Sequence, residues 1–311
     1  MVFEELRLCS SVPSSPVSTS PKIAIVLGNQ DGVFVSGGAV TGEVVLTLKK
    51  AAEINGLKLK ITGAGSTKWR ESFGRSTITF KGEESYLNIE QHLVDFKNKS
   101  TILQAGFYTY QFRIALPGDL PTWMEKDFAT IRYTMEAVLE YSEQRTSCSS
   151  KILRILGRTD FHGTNQQPFE IVQNKKIGFW RPKNLQVTFA LPGTGFLPGQ
   201  NIPLLVQFAS DCDTKIRKMI LMLIQYNSYH TQLPQARIKH EKVVLQEALF
   251  TSIQLTTKPT CIRCYLRVPA TTATTFSSDL FKINYKLVVQ VYTGFVRPKF
   301  LLCESITVGR I

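Results

Sequence analysis

The sequence predicts an all-β chain built as two immunoglobulin-like β-sandwich domains in tandem, and three observations carry that prediction. The first is an internal repeat. Residues 34–46 (FVSGGAVTGEVVL) match residues 196–208 (FLPGQNIPLLVQF) at a shift of 162, pairing Phe34 with Phe196, Gly37 with Gly199, Val40 with Ile202 and Val44 with Val206. FRIALP (112–117) matches CYLRVP (264–269) and IRYTMEA (131–137) matches INYKLVV (283–289), both at a shift of 152. Matches in the same order at similar shifts describe a duplicated unit with one loop deletion, and such repeats set the architecture. The second observation is period-two alternation. The third is the spacing of turn signals between short strand patterns, which is the mark of sandwiches.

Taken in chain order, the lead-in over residues 1–20 is rich in Ser and Pro and reads as flexible; it carries Glu4 and Glu5 and no apolar segment, unlike a secretory signal. Ile23–Leu27 is a short apolar strand. Gly42–Lys49 alternates with Val44, Leu46 and Leu48 on one face, and Leu57–Ile61 alternates as well. Gly63-Ala64-Gly65-Ser66-Thr67-Lys68 lacks the spacing of a phosphate-binding loop and reads as a hairpin loop. Residues 88–96 (NIEQHLVDF) have weak helical spacing, so a turn or two of helix is expected there. In Ile131–Glu140 the apolar Ile131, Tyr133, Met135, Ala137 and Leu139 share one face, as on an antiparallel sheet lying on a core. Turn signals fall at Asn29–Gly32, Ser36–Gly38, Leu116–Asp119 and Leu197–Gly199. The polar segment from Tyr141 to about Lys176 holds the domain junction, with Lys151–Leu156 continuing as a strand. The expected division is 21–165 for the first domain and 166–311 for the second.

With 311 residues the chain has room for two domains, each with its own core. Its longest apolar run, Met219–Ile224, is far short of the roughly 20 residues of a membrane-spanning helix. Cys9, Cys148, Cys212, Cys261, Cys264 and Cys303 are too irregular for a disulfide framework and fit a reducing cytosol. Asn98-Lys99-Ser100 matches the glycosylation pattern but, without a secretory signal, is not read as a glycosylation site. Cys261 and Cys264 form a CxxC without two further ligands nearby, and positions three apart on a strand face opposite sides, so no metal is expected. His92, His162, His230 and His240 have no acidic or nucleophilic neighbour at a motif spacing. No catalytic residue and no cofactor is expected.

Charge is unevenly spread. Residues 1–150 hold 16 Lys+Arg and 16 Asp+Glu, whereas residues 151–311 hold 21 and 8, so the whole net charge of +13 lies in the second half. Such an excess points to an anionic partner. The candidate residues are Lys151, Arg154, Arg158, Lys175, Lys176, Arg181 and Lys183, then Lys215, Arg217, Lys218, Arg237, Lys239 and Lys242. On a shared face each would add about 1 kcal/mol near an anionic leaflet. Aromatic platforms for stacking bases are not interleaved with them, so nucleic acid is not the expected partner.

Four stretches of the chain are recognisable. GNQDGVFVSGGAVTGEVVLTL, followed by LPGDLPTWMEKDFATIRYTMEAVLE, resembles the N-terminal domain of the alpha-arrestins, the arrestin domain-containing proteins. LPGTGFLPGQNIPLLVQFAS and LFKINYKLVVQVYT resemble the start and a late strand of their C-terminal domain. The resemblance runs over about residues 20–311 in order. Trp123-Met124-Glu125 stands where the family has Ser-Phe-Glu, and Gly28 stands where relatives often carry a polar residue.

The resemblance implies two arrestin β-sandwiches and a cytosolic adaptor rather than an enzyme. Such adaptors hold cytoplasmic segments of membrane proteins and direct them through endocytosis and endosomal sorting, with recruitment to the plasma membrane and endosomes. Many family members engage ubiquitin ligases through PPxY motifs. None of the 14 prolines here is followed by another, and Ile311 closes the last expected strand, so any ubiquitin-ligase link is expected to be indirect. Two other readings stand beside this one: a peripheral module binding anionic phospholipids, and a coat subunit like the arrestin-fold member of retromer.

Overall fold

The computed structural model describes residues 20–95, 101–141, 145–159, 167–178, 182–294 and 299–309. All but Ser20 of the expected lead-in lies outside them. Every element among the described residues is a strand. The first half supplies β1 (Lys22–Leu27), β2 (Val33–Val35), β3 (Ala39–Leu48), β4 (Ala52–Phe73), β5 (Ser76–Asp95), β6 (Thr101–Leu103), β7 (Gly106–Ala115), β8 (Met124–Lys126), β9 (Ala129–Tyr141) and β10 (Arg145–Leu156). The second supplies β11 (Phe169–Ile177), β12 (Lys183–Leu191), β13 (Gly195–Phe196), β14 (Asn201–Ser210), β15 (Thr214–Thr231), β16 (Arg237–Leu255), β17 (Thr260–Arg267), β18 (Phe276–Ser277), β19 (Phe281–Tyr292) and β20 (Phe300–Val308).

Each half is a two-sheet sandwich. The first packs the sheet β1-β3-β7 against β2-β10-β9-β4-β5, and the second packs β11-β12-β14-β17 against β13-β20-β19-β15-β16. The five apolar residues of the alternating Ile131–Leu139 face are all buried, as period two requires. The repeat is physical. Val40 and Val44 occupy core positions matched by Ile202 and Val206. Gly37 and Gly199 both take the left-handed φ (75° and 88°) that closes the turn before the matched strand. The Tyr133 hydroxyl donates to the Pro121 carbonyl at 2.7 Å, and the Tyr285 hydroxyl donates to the Ala273 carbonyl at 2.7 Å. Both tyrosines are therefore buried with their one polar atom satisfied.

Two local expectations are corrected. Residues 88–95 are strand β5, not helix. The ladder steps from Leu57–Val94 to Lys58–His92, leaving Leu93 as the extra residue of a bulge. That extra residue breaks the alternation and spaces Ile89 and Leu93 as a helix would. Gly63-Ala64-Gly65 is not a loop but lies inside β4. A Cβ on Gly63 would run into the Tyr133 ring, and one on Gly65 would come 2.6 Å from Phe281 Cε2. Here glycine serves close approach of a neighbouring ring, not a turn.

That second contact crosses between the domains. Tyr229, Leu280 and Phe281 of the second half belong to the buried cluster of the first. Phe128 meets Tyr229 edge to face at 4.8 Å between centroids, and Tyr229 meets Phe281 at 6.2 Å. Polar bonds frame these rings. One Glu84 carboxylate oxygen accepts from the Tyr86 hydroxyl (2.8 Å), the Ser278 hydroxyl (2.8 Å) and the Leu280 amide (3.1 Å). Thr67 donates to the His230 carbonyl at 2.6 Å, and Lys81 pairs with Leu233 in an antiparallel bridge. Thr122 and Thr274, 152 residues apart and thus equivalent in the repeat, touch hydroxyl to hydroxyl at 3.5 Å.

Candidate functional site

The two halves differ most at one sheet edge. Among the described residues of the first domain, β1 is terminal in its sheet and pairs only with β3. Its other edge looks across a groove of about 480 Å³ at β10. The groove is lined by Ile25–Leu27, Gln30–Gly32, Lys151, Ile152 and Arg154. Val26 and Ile152 are 47% and 70% exposed, so both walls offer apolar surface to an incoming chain. The Ser147 hydroxyl, donating to the Pro21 carbonyl at 3.2 Å, ties the walls together at one end.

In the second domain the matching place is filled. β14 corresponds to β3 and β17 to β7, so β12 is the counterpart of β1. Its outer edge is covered by β11, antiparallel over nine residue pairs from Phe169–Leu191 to Ile177–Lys183. β11 also reaches β20, the counterpart of β10: Gln173 Nε2 donates to the Leu301 carbonyl (3.0 Å) and Lys175 Nζ to the Lys299 carbonyl (2.7 Å). The sequence carried a sign of this asymmetry. FEIVQNKKI (169–177) alternates, while the residues 162 positions earlier, RLCSSVPSS, do not. Val26 and Ile152 were missed because exposed apolar residues stand out only once the strand edge beside them is known to be bare.

The basic candidates do not form one face. Lys151 and Arg154 line the groove, Arg154 stacking 5.4 Å from the Trp123 ring centroid. The Arg158 amide donates to Ser36 Oγ at 2.7 Å, beside the Gly37 turn. These three come from the first domain, although they fall in the second half of the chain. Lys175 and Lys183 hold backbone carbonyls, the latter that of Asp213 at 2.7 Å. Lys176 and Lys242 are exposed on β11 and β16. Arg181 lies outside the described residues. Arg237 lies over Phe73 and Phe80 (5.9 and 5.6 Å), and Lys239 over Phe128 and Trp69 (4.4 and 5.9 Å). Both thus cover first-domain rings by cation–π contact. Lys215, Arg217 and Lys218 do gather, around a pocket of their own.

Among the described residues no catalytic constellation emerges. No group of three or more His, Cys, Asp or Glu side chains is placed to hold a metal among the described residues. Cys261 is exposed and Cys264 half-buried on β17, where burial pushes the Cys264 thiol up to about 11, away from a reactive thiolate. Ser228 and His240 do share a hydrogen bond of 3.0 Å across β15 and β16, a nucleophile–base pair in type. The adjacent carboxylate, Glu241, is taken up by Asn227 (2.9 Å) and Tyr229 (2.8 Å), so nothing of the kind needed to orient the imidazole is supplied.

Two sandwiches of duplicated topology, joined by a buried interface and, among the described residues, open at one strand edge, define the class: a two-domain, arrestin-type binding scaffold. The match to the family described as Arrestin (or S-antigen), N-terminal domain, runs over residues 23–162, and that to Arrestin (or S-antigen), C-terminal domain, over residues 181–308. The chain belongs to the arrestin family, in its arrestin domain-containing, or alpha-arrestin, branch. It is 22% identical to human arrestin domain-containing protein 5 over 253 residues, 77% of this chain and 73% of the relative. It is 23% identical to mouse arrestin domain-containing protein 4 over 275 residues, 84% of this chain and 65% of the relative. A Schizosaccharomyces pombe protein whose name calls it an arrestin-related trafficking adapter is 21% identical over 227 residues, 60% of this chain and 33% of that protein. No helix among the described residues is long and apolar enough to cross a membrane.

Proposed function

We propose that this protein is a cytoplasmic adaptor in membrane-protein trafficking that holds an extended cytoplasmic segment of its cargo as an added strand on β1. The observation that carries this reading is the β11 precedent: the same fold, in the same chain, fills the equivalent edge with an antiparallel strand. Strand addition draws affinity from main-chain hydrogen bonds and specificity from alternate side-chain pockets. Here Val26 and Ile152 would take apolar side chains, and Lys151 and Arg154 would favour acidic or phosphorylated ones. The protein acts by binding, at the plasma membrane and endosomes. The trafficking-adapter name of the fission yeast relative supports the direction of this reading.

The test is co-purification from cells with the native chain and with the double variant Lys151→Glu, Ile152→Asp. Both side chains are exposed, so the fold should survive. Membrane proteins should be recovered by the native chain and fall at least about tenfold with the variant, the scale of losing one charge-assisted contact. Equal recovery by both refutes the groove. Recovery of no membrane protein by the native chain refutes the adaptor reading itself.

A further inference from the structure

The duplicated fold keeps a cleft at the same place in both domains, and its two copies differ in chemistry. In the first domain the cleft lies across β1, β3 and β7 and is about 450 Å³. In the second it lies across β12, β14 and β17 and is about 270 Å³. The strand registers match the two linings position by position. Val26, Gly28, Thr41, Glu43 and Gln111 of the first copy stand where Ala190, Pro192, Pro203, Leu205 and Arg263 stand in the second.

The second cleft has a local cause. In the first domain the β1–β3 ladder runs to Leu27–Gly42, and the Gly28 amide then donates to the Thr41 carbonyl at 2.8 Å. In the second domain the ladder stops one pair short, at Ala190–Leu205. The equivalent of the Gly28–Thr41 pair is Pro192 with Pro203, and neither has an N–H to give. The cleft opens where the ladder stops, and its lining is apolar: Leu191, Leu204 and Leu205 beside the two prolines. Tyr265, 69% exposed, adds an aromatic ring. Arg263 is the charged member of the lining, and no carboxylate joins it. Arg267 shares the exposed face of β17 with Arg263 and Tyr265. In the first copy Glu43 and Gln111 replace Leu205 and Arg263, so an acidic, apolar ligand suited to the second copy is turned away by the first.

Pockets that take a whole small molecule begin at about 300 Å³. A cleft below that size, open on a sheet face, holds one bulky side chain while the rest of the ligand stays outside. Tyrosine and arginine around a desolvated pocket are the composition of binding hot spots. From this geometry we infer that the second-domain cleft is a docking site for a short peptide segment of a partner protein, which inserts one bulky apolar side chain and sets flanking carboxylates against Arg263 and Arg267. Guanidinium groups suit carboxylates in charge and in geometry. The cleft shares no lining residue with the β1 groove, so the chain can hold two segments at once. The site does not rest on the adaptor reading.

Short fluorescein-labelled peptides are titrated against the full chain and followed by anisotropy. One set places leucine, phenylalanine or tryptophan between aspartates, a second places the same anchors between lysines, and a third places alanine between aspartates. At least one anchored acidic peptide should bind about tenfold or more tighter than its lysine-flanked and alanine-centred counterparts. Ala190→Trp, which fills the cleft, should weaken that binding about tenfold or more. The pair Arg263→Glu, Arg267→Glu changes exposed positions where the fold should survive; it should lose the acidic peptide and gain the lysine-flanked one. The groove variant Lys151→Glu, Ile152→Asp should change binding less than about twofold. No binding by any anchored acidic peptide, equal binding of all three sets, or binding that either cleft variant leaves unchanged overturns the site. A dimer in sedimentation that Ala190→Trp dissolves also overturns it, for the occupant is then a second copy of this chain. None of these outcomes involves cargo recovery through the groove, which stands or falls independently.

Discussion

Replacing Phe281 with alanine will cost about 3–5 kcal/mol and turn one unfolding transition into two. Phe281 begins β19 of the second domain, yet it is fully buried in the cluster of the first, against Tyr229 and over Gly65. Its ring fills space that only a glycine on β4 leaves open, so alanine would leave a cavity that the neighbouring strands cannot close. In the native chain the two domains share this buried surface, and unfolding either one exposes it; a single cooperative transition is therefore expected. Calorimetry together with near-ultraviolet circular dichroism measures both points. A variant that keeps one transition and loses less than about 1 kcal/mol shows that the ring does not couple the domains.

Glu84→Ala is expected to cost about 2–3 kcal/mol, because three donors converge on one carboxylate oxygen and hydrogen bonds to a charged group are the stronger kind. Two of those donors, Ser278 and the Leu280 amide, come from the other domain, so the loss falls on the interface. Glu84→Gln keeps an acceptor oxygen in the same place and should recover roughly half of it. Denaturant midpoints give the magnitudes, and faster hydrogen exchange at the Leu280 amide locates the change. A cycle with Ser278→Ala should show strong coupling. Equal losses for Ala and Gln, or no coupling to Ser278, would mean that the carboxylate acts elsewhere.

Sequence patterns recovered what depends on local periodicity. The buried face of β9, the left-handed turns at Gly37 and Gly199, and the matched pair Tyr133 and Tyr285 all follow from the repeat. The same patterns misled where one residue broke the period: the extra Leu93 in β5 imitated a helix, and glycines inside β4 imitated a turn. Charge counting found the second half basic but could not sort it. Three of its cations belong to the first sandwich, two cover aromatic rings at the interface, and three meet at a pocket. The bare edge of β1 was equally hidden, since an edge is a property of what does not pair.

The bare edge has a consequence for the protein's life in a crowded solution. An unpaired strand edge will accept any extended chain, including a second copy of itself, and can seed aggregation. Here the exposed edge is only six residues long, begins with Lys22, and faces Lys151 and Arg154 across the groove. A second β1 brings its own Lys22 and no acidic residue, so its charge has the sign of Lys151 and Arg154, which outnumber Asp31 in the groove. The cations that would admit an acidic segment thus also protect the molecule from pairing with itself. Charge reversal at Lys151 should weaken both kinds of discrimination, making the variant less soluble as well as less selective.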